Sequence, residues 1–429
     1  MVAARGSSAR IVAATRIVLC AIFLSSPEPT EALHIAAKGA HAWVAPEGLS
    51  WFAAQVPMSA AVTAIAYRMY ITCAFLGLAG LYTRFALPGL LGSAFYLFAI
   101  RQLTGVVLHD MHLLWMLALL LFATSERTWS VDAWFRKGAS FGPAQATERK
   151  QSTFLFWART LLGLVYFFPG LWKLRAQGLS WALSDNLQNQ LWAKWFQHGT
   201  VPTVRLDLHP GVLHVLGIAT IAFELGFIML VHIGPRVRIG LAVAGIAFHL
   251  SIERFMFIPF SSLWLCYIVL LSGARRPAGG RGHLAWRSMI SGMGAGIALL
   301  LAVQGFRGKT QAFPFACYPT FQYRVGDTLP DMIVTTTDAS GQARVVPMAR
   351  NASGHRSQLA WGEVWSVLGL YGAALSESRL RAYVDEELAR ASITATRVRV
   401  EIGYFQTDPA HWGEAPKTRT RVAVWERYP

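Results

Sequence analysis

Three stretches of this chain hold residues whose types and spacing could carry proton chemistry. In YFFPGLWKL, Tyr166, Gly170 and Lys173 follow one another at intervals of four and three, so a helix here puts them on one face. In LHDMHLLWM, His109 and His112 lie three apart; in FHLSIERF, His249 and Glu253 lie four apart. Tyr166, Phe167, Phe168 and Trp172 crowd Lys173. A lysine held in such surroundings can carry a lone pair and act as a general base. Gly170 leaves space beside it, and Pro169 cannot bond to the Val165 carbonyl, which kinks the helix. Lys173 equally suits a plainer role, an interfacial anchor whose stem lies in lipid while its head reaches water. The histidine pair lacks the carboxylates or cysteines that would complete a metal site, so no metal is assigned. Cys20, Cys73, Cys266 and Cys317 are scattered and form no disulfide framework.

These groups must be held by helices that cross a membrane. The chain has 429 residues, 54% hydrophobic and only 14% charged, against roughly 25% charged in soluble domains. A net charge of +16 would suit nucleic acid, but the Lys and Arg gather in short loops between apolar runs, so no nucleic-acid partner is expected. Runs of about 17 to 25 apolar residues can span a bilayer. Nine are present, near 10–27, 58–82, 86–108, 109–125, 152–173, 210–233, 237–254, 256–273 and 284–305. The first has the Arg5 and Arg10 of a signal peptide but no small-residue cleavage site after SSPEPTE, so it is retained as a span. The expected fold class is an all-α polytopic membrane domain, residues 1–306, followed by a C-terminal extracytoplasmic α+β domain, residues 307–429. With the N-terminus inside, the loops holding Arg136, Arg236 and Arg275 all fall in the cytoplasm, as the positive-inside rule requires.

In the tail, TTTDASGQARVV reads as strand, turn at Asp338 to Gly341, and strand. SESRLRAYVDEELAR reads as a helix with Ser376 at its N-cap. TATRVRVEIGYF and TRTRVAVWERY alternate as half-buried strands do.

Polar groups inside spans are costly, hence paired or functional. In this topology His109, His112, Lys173, His249 and Glu253 all fall at outer helix ends, and that convergence marks a candidate site. Glu224, in IAFELGFIML, reads as a structural partner of Arg159 or Arg101. The amphipathic, Trp-rich stretch 179–198 reads as a surface helix or a cap on the pocket.

These motifs bear a resemblance to one family. YFFPGLWKL resembles the Y-F-x-A-G-x-x-K-L motif of vitamin K-dependent gamma-glutamyl carboxylase and of bacterial proteins sharing its membrane domain, the HTTM domain. LHDMHLLWMLALLLF followed by WSVDAW resembles the family's histidine-bearing span and its downstream motif, and FHLSIERFMFIPFSSLWL resembles a third family segment. The resemblance implies a membrane-embedded lyase and quinol epoxidase that uses reduced vitamin K or another quinol, with O2 and CO2 as co-substrates and a peptide or protein substrate. It makes Lys173 the base that deprotonates the quinol. His109, with His112 as the alternative one turn on, and His249 would hold the quinol oxygens. Tyr166, Gly170, Trp172 and Glu253 would bind the quinol. The chain departs from the family at Trp172, Pro169 and the FHLS segment, and it has a short tail where the animal enzyme carries a large region that recruits a propeptide.

The reading is therefore a carboxylase-like enzyme of the bacterial inner membrane, N-terminus inside and C-terminal domain outside. The rival is a non-enzymatic membrane protein for peptide maturation, export or binding. The orientation predicts that a cysteine placed at position 400 reacts with an impermeant reagent on intact cells and one at position 140 does not. The reverse pattern would invert the topology.

Overall fold

A computed structural model of the chain describes residues 2–38, 43–44, 47–56, 59–105, 109–135, 144–272, 284–310, 312–316, 321–348, 358–370 and 374–427. The loop positions Arg136 and Arg275, position 140 and Cys317 lie outside the described residues. The chain is mostly helical. In order come α1 (Val2–Ser25), α2 (Glu28–Ala37), α3 (Ser50–Gln55), α4 (Ala60–Ala79), α5 (Thr83–Gln102), α6 (Met111–Leu120), α7 (Val131–Phe135), α8 (Ala144–Gln177), α9 (Ser180–Leu183) and α10 (Asn186–His198). Then follow α11 (Pro210–Leu230), α12 (Pro235–Met256), α13 (Ser261–Leu265, extended by a 3-10 segment to Leu271) and α14 (Leu284–Phe306).

Among the described residues, seven of the nine expected spans correspond to helices long and apolar enough to cross a membrane. The other two, Met111–Leu120 and Ser261–Leu271, are shorter apolar helices. Nearly every residue of α6 is buried. Its side chains pack against the rest of the protein on almost every side.

Ordinary capping chemistry sets many of the helix ends. Ser59 Oγ accepts from Val62 N at 3.2 Å to start α4, and left-handed Gly80 closes it. Pro210 and Pro235 open α11 and α12, where a missing N–H costs nothing.

The WSVDAW motif has a structural job. Asp132 accepts from Tyr82 N and Thr83 N at 2.9 Å and from Thr83 Oγ1 at 2.8 Å, which caps α5. Ser130 Oγ accepts from Ala133 N at 3.0 Å to start α7. Fully buried Arg16 donates to the carbonyls of Ser125 and Trp129, tying α1 to the same corner.

Helix α8, 34 residues long, is the central post. On one face Gly163 and Gly170 admit α11: a Cβ at Gly163 would stand 2.8 Å from Ile228, and one at Gly170 would stand 2.9 Å from the Glu224 Cβ. On another face Trp157 and Phe168 fill hollows at Gly294 and Gly305 of α14. Small residues that let backbones approach closely are the usual means of helix association in a membrane, where apolar burial alone drives little.

The C-terminal region is an antiparallel sheet packed with two helices, as the alternation implied. Its elements are β1 (Thr328–Thr337), β2 (Ala343–Val346), α15 (Gln358–Val367), α16 (Glu377–Arg390), β3 (Arg397–Gln406) and β4 (Thr418–Glu426), in sheet order β2-β1-β3-β4. Asp338 Oδ1 accepts from the backbone N–H of Ser340 and Gln342, making the expected turn. Ser376 sits at the N-cap of α16, but its side chain meets Ser378 Oγ and not a backbone N–H.

Val400 is fully buried in β3, so Ser340, in the exposed turn, is the residue to label in the orientation experiment. Asp132→Ala is expected to lower stability by about 1–2 kcal/mol through loss of the cap, read as a lower thermal midpoint in detergent. An unchanged midpoint would show that the corner does not depend on that carboxylate.

Candidate functional site

The last turns of α8, the middle of α11 and the end of α12 face one another beneath α9 and α10. Between them lies a pocket with a cavity volume of about 100 Å³. Tyr166, Pro169 and Lys173 line it from α8, Thr220 and Glu224 from α11, and Phe248, His249 and Met256 from α12. His109 and Phe260 close another side. Trp181 of α9, Gln190 of α10 and Phe321 form the roof.

Lys173 and Glu224 make the main polar contact. Lys173 Nζ donates to both Glu224 carboxylate oxygens, at 2.7 and 2.8 Å, and the two side chains are 3% and 8% exposed. Nζ also lies 5.1 Å from the centre of the Trp181 ring, within cation–π range. The assignment of Glu224 to Arg159 or Arg101 is thus corrected. Arg159 donates to the carbonyls of Val269 and Ser272, and Arg101 pairs with Glu31. Counting inward from helix ends failed because those ends are staggered. Ala182 of α9 packs against Gly217, leaving the first turns of α11 beyond the end of α8, and so Glu224 comes level with Lys173.

His249 is the second polar feature. Its Nε2 meets Tyr166 Oη at 2.5 Å, and Tyr166 Oη also meets Tyr267 Oη. Nδ1 of His249 is buried and has no hydrogen-bond partner among the described residues. If the hydroxyl chain donates towards Nε2, Nδ1 carries the proton and is a donor. If Nε2–H donates to Tyr166, Nδ1 is an acceptor. In either tautomer one ring nitrogen remains open, and leaving it unpaired costs about 1–3 kcal/mol.

The remaining sequence candidates separate clearly. His109 lines the pocket with its ring against Phe260, 5.7 Å between centroids. His112 does not: its ring nitrogens lie 3.2 Å from the carbonyls of His109 and Ser262, so it ties α6 to α13. Gly170 is not open space, since α11 occupies the volume beside it. Trp172 points to α14, donating to the Gly305 carbonyl at 2.6 Å. Glu253 is exposed and does not line the pocket. Tyr166 lines the pocket and orients His249.

The stretch 179–198, read as a possible cap, supplies Trp181 and Gln190 to the roof, whereas sequence reasoning missed Tyr267 and Phe321. Their only sequence signal was an apolar or amphipathic context shared by many residues. The roof is fixed to the C-terminal domain. Trp181 Nε1 donates to the Phe321 carbonyl at 2.6 Å, and Asn189 donates to the Val325 carbonyl at 3.0 Å. Lys194, one turn beyond Gln190 and outside the crossing helices, donates to Gln197 Oε1 at 2.9 Å, and burial pushes its amine down to about 8.

No protein-family model matches the chain, and no curated protein or solved structure is significantly similar to it. Among the described residues no cluster of three His, Cys, Asp or Glu side chains could hold a metal ion.

Gly170→Ala tests the crossing directly. Its new methyl would press on Glu224 and Leu225, and overpacking of this kind costs about 1–3 kcal/mol. A lower thermal midpoint is expected, and an unchanged one would contradict the tight contact.

Proposed function

We propose that this protein is a membrane enzyme that binds a reduced quinone in the pocket and removes a proton from one of its hydroxyl groups. The observation that carries this reading is the pairing of a proton-handling centre, Lys173 with Glu224, with an unpartnered ring nitrogen on His249 in one pocket. A hydroquinone needs both: one group to take a proton and another to hold an oxygen. The walls also suit a flat ring, with Tyr166, Trp181, Phe248, Phe260 and Phe321 around the polar groups. Small-molecule pockets are typically apolar with a few placed polar groups. A passive groove for a peptide would not require a buried ion pair.

When bound, a reduced quinone supplies a carbon framework that reacts with oxygen once deprotonated; in the resembling carboxylases this drives epoxidation and carboxylation with carbon dioxide. The residues of this chain do the rest. Lys173 takes the hydroxyl proton. His249 holds an oxygen through Nδ1, with its ring fixed by Tyr166 and Tyr267. His109 bounds the space beside Phe260, and the α9–α10 roof keeps water out. The seven long helices and two short ones make up nine crossings of a bacterial inner membrane. The basic loops lie inside, and the C-terminal domain covers the pocket from outside. A peptide or protein would be the final substrate.

Lys173→Ala should still bind the quinol while oxygen-dependent turnover falls about 10²- to 10⁴-fold, the usual contribution of a positioned base. Lys173→Arg should be nearly as damaging, because a guanidinium does not give up its proton and so cannot accept another. Oxygen uptake with reduced menadione measures both. Turnover in the arginine variant equal to that of the unaltered protein would rule out proton transfer at this position.

A further inference from the structure

We infer that Glu224 is the terminal proton acceptor of this site and that Lys173 is the relay between it and the bound hydroxyl, an inference that rests on the quinol reading above. Among the described residues, the only hydrogen-bond partners of Lys173 Nζ are the two Glu224 oxygens, and Lys173 is the only partner of those oxygens. The close position of Nζ over the Trp181 ring suits the ammonium form. An ammonium has three N–H donors and no lone pair. It can accept a proton only after releasing one, and among the described residues its acceptor is the Glu224 carboxylate.

The transfer balances. One Nζ–H bond breaks as an O–H bond forms on Glu224, and the ligand O–H bond breaks as a new N–H bond forms on Nζ. The site ends with an ammonium, a neutral carboxyl group and a ligand oxyanion. Before transfer the pair and ligand together are neutral, and they are neutral afterwards, so no net charge is created in an apolar cavity. The oxyanion forms against the ammonium, the group best placed to stabilise it. Gly170 makes this possible by bringing the Glu224 Cβ within 2.9 Å of where a Cβ at position 170 would stand.

Glu224→Gln separates proton acceptance from mere positioning. The glutamine amide oxygen can still accept a hydrogen bond from Nζ but cannot take its proton. The experiment is an anaerobic titration of the full-length protein, in lipid nanodiscs, with reduced menadione. Tryptophan fluorescence reports binding, and the red-shifted naphtholate absorbance reports deprotonation. The unaltered protein is expected to bind and develop the naphtholate band. Glu224→Gln should bind with comparable affinity and lack the band, and in a separate oxygen-uptake assay it should turn over about 10²- to 10⁴-fold more slowly. Glu224→Asp, which keeps a carboxylate, should restore part of the band and serves if the glutamine variant fails to fold. A full band in Glu224→Gln would show that Glu224 only positions Lys173 and would overturn the inference, as would a folded Glu224→Asp that binds without any band. Failure of the unaltered protein to bind reduced menadione would instead overturn the quinol reading, and this inference with it.

Discussion

A lysine and a glutamate meet inside the helical bundle, and much of the surrounding architecture serves that meeting. Removing either partner of a buried pair leaves the other charge uncompensated, at a cost of about 3–5 kcal/mol. The contact therefore requires that α8 and α11 stay in fixed register. Gly163 and Gly170 supply that register by letting the α11 backbone approach at two points on one face of α8. On another face, Trp157 and Phe168 lock α8 against glycines of α14. Ion pair and crossing are mutually dependent: close approach brings the carboxylate to the amine, and the pair resists separation of the helices.

The pocket grows out of the same crossing. Tyr166 lies two turns before Lys173 on α8 and reaches across to His249 of α12, so one helix orients both polar features. The roof extends the arrangement to the C-terminal domain. Asn186 Oδ1 accepts from Val325 N at 3.0 Å, and Lys38 pairs with Glu363 of α15 at 2.7 Å. A change in how that domain sits on α10 would alter the roof of the pocket directly, without any signal through the helices.

Much of the helical framework was legible because apolar run length is a strong signal, and the sheet because its alternation was clean. The two short helices read as full-length runs because α6 is as apolar as any of the long helices, and apolarity does not give helix length. At the site, Lys173, His249, His109 and Tyr166 stood out as polar groups in apolar runs. Glu224 stood out equally but was matched to the wrong cation, because sequence gives depth only from helix ends and these ends are staggered by α9. Gly170 was read as a hollow when it is a contact, since a missing side chain signals close approach as readily as empty space. Glu253 and Trp172 sit on turns that face away from the pocket, a matter of helix rotation that spacing within a single helix does not settle.

The proposed chemistry places a quinol between two residues from different helices, one at each of its oxygens. Its most direct test is an electron cryo-microscopy map of the protein in nanodiscs with reduced menadione, prepared anaerobically. The account predicts a ring between Tyr166 and Phe260 with one oxygen about 3 Å from Lys173 Nζ and the other at His249 Nδ1, the ordinary hydrogen-bond reach of a base and its substrate. Ring density elsewhere, with Lys173 still bound only to Glu224 in an empty pocket, would contradict it.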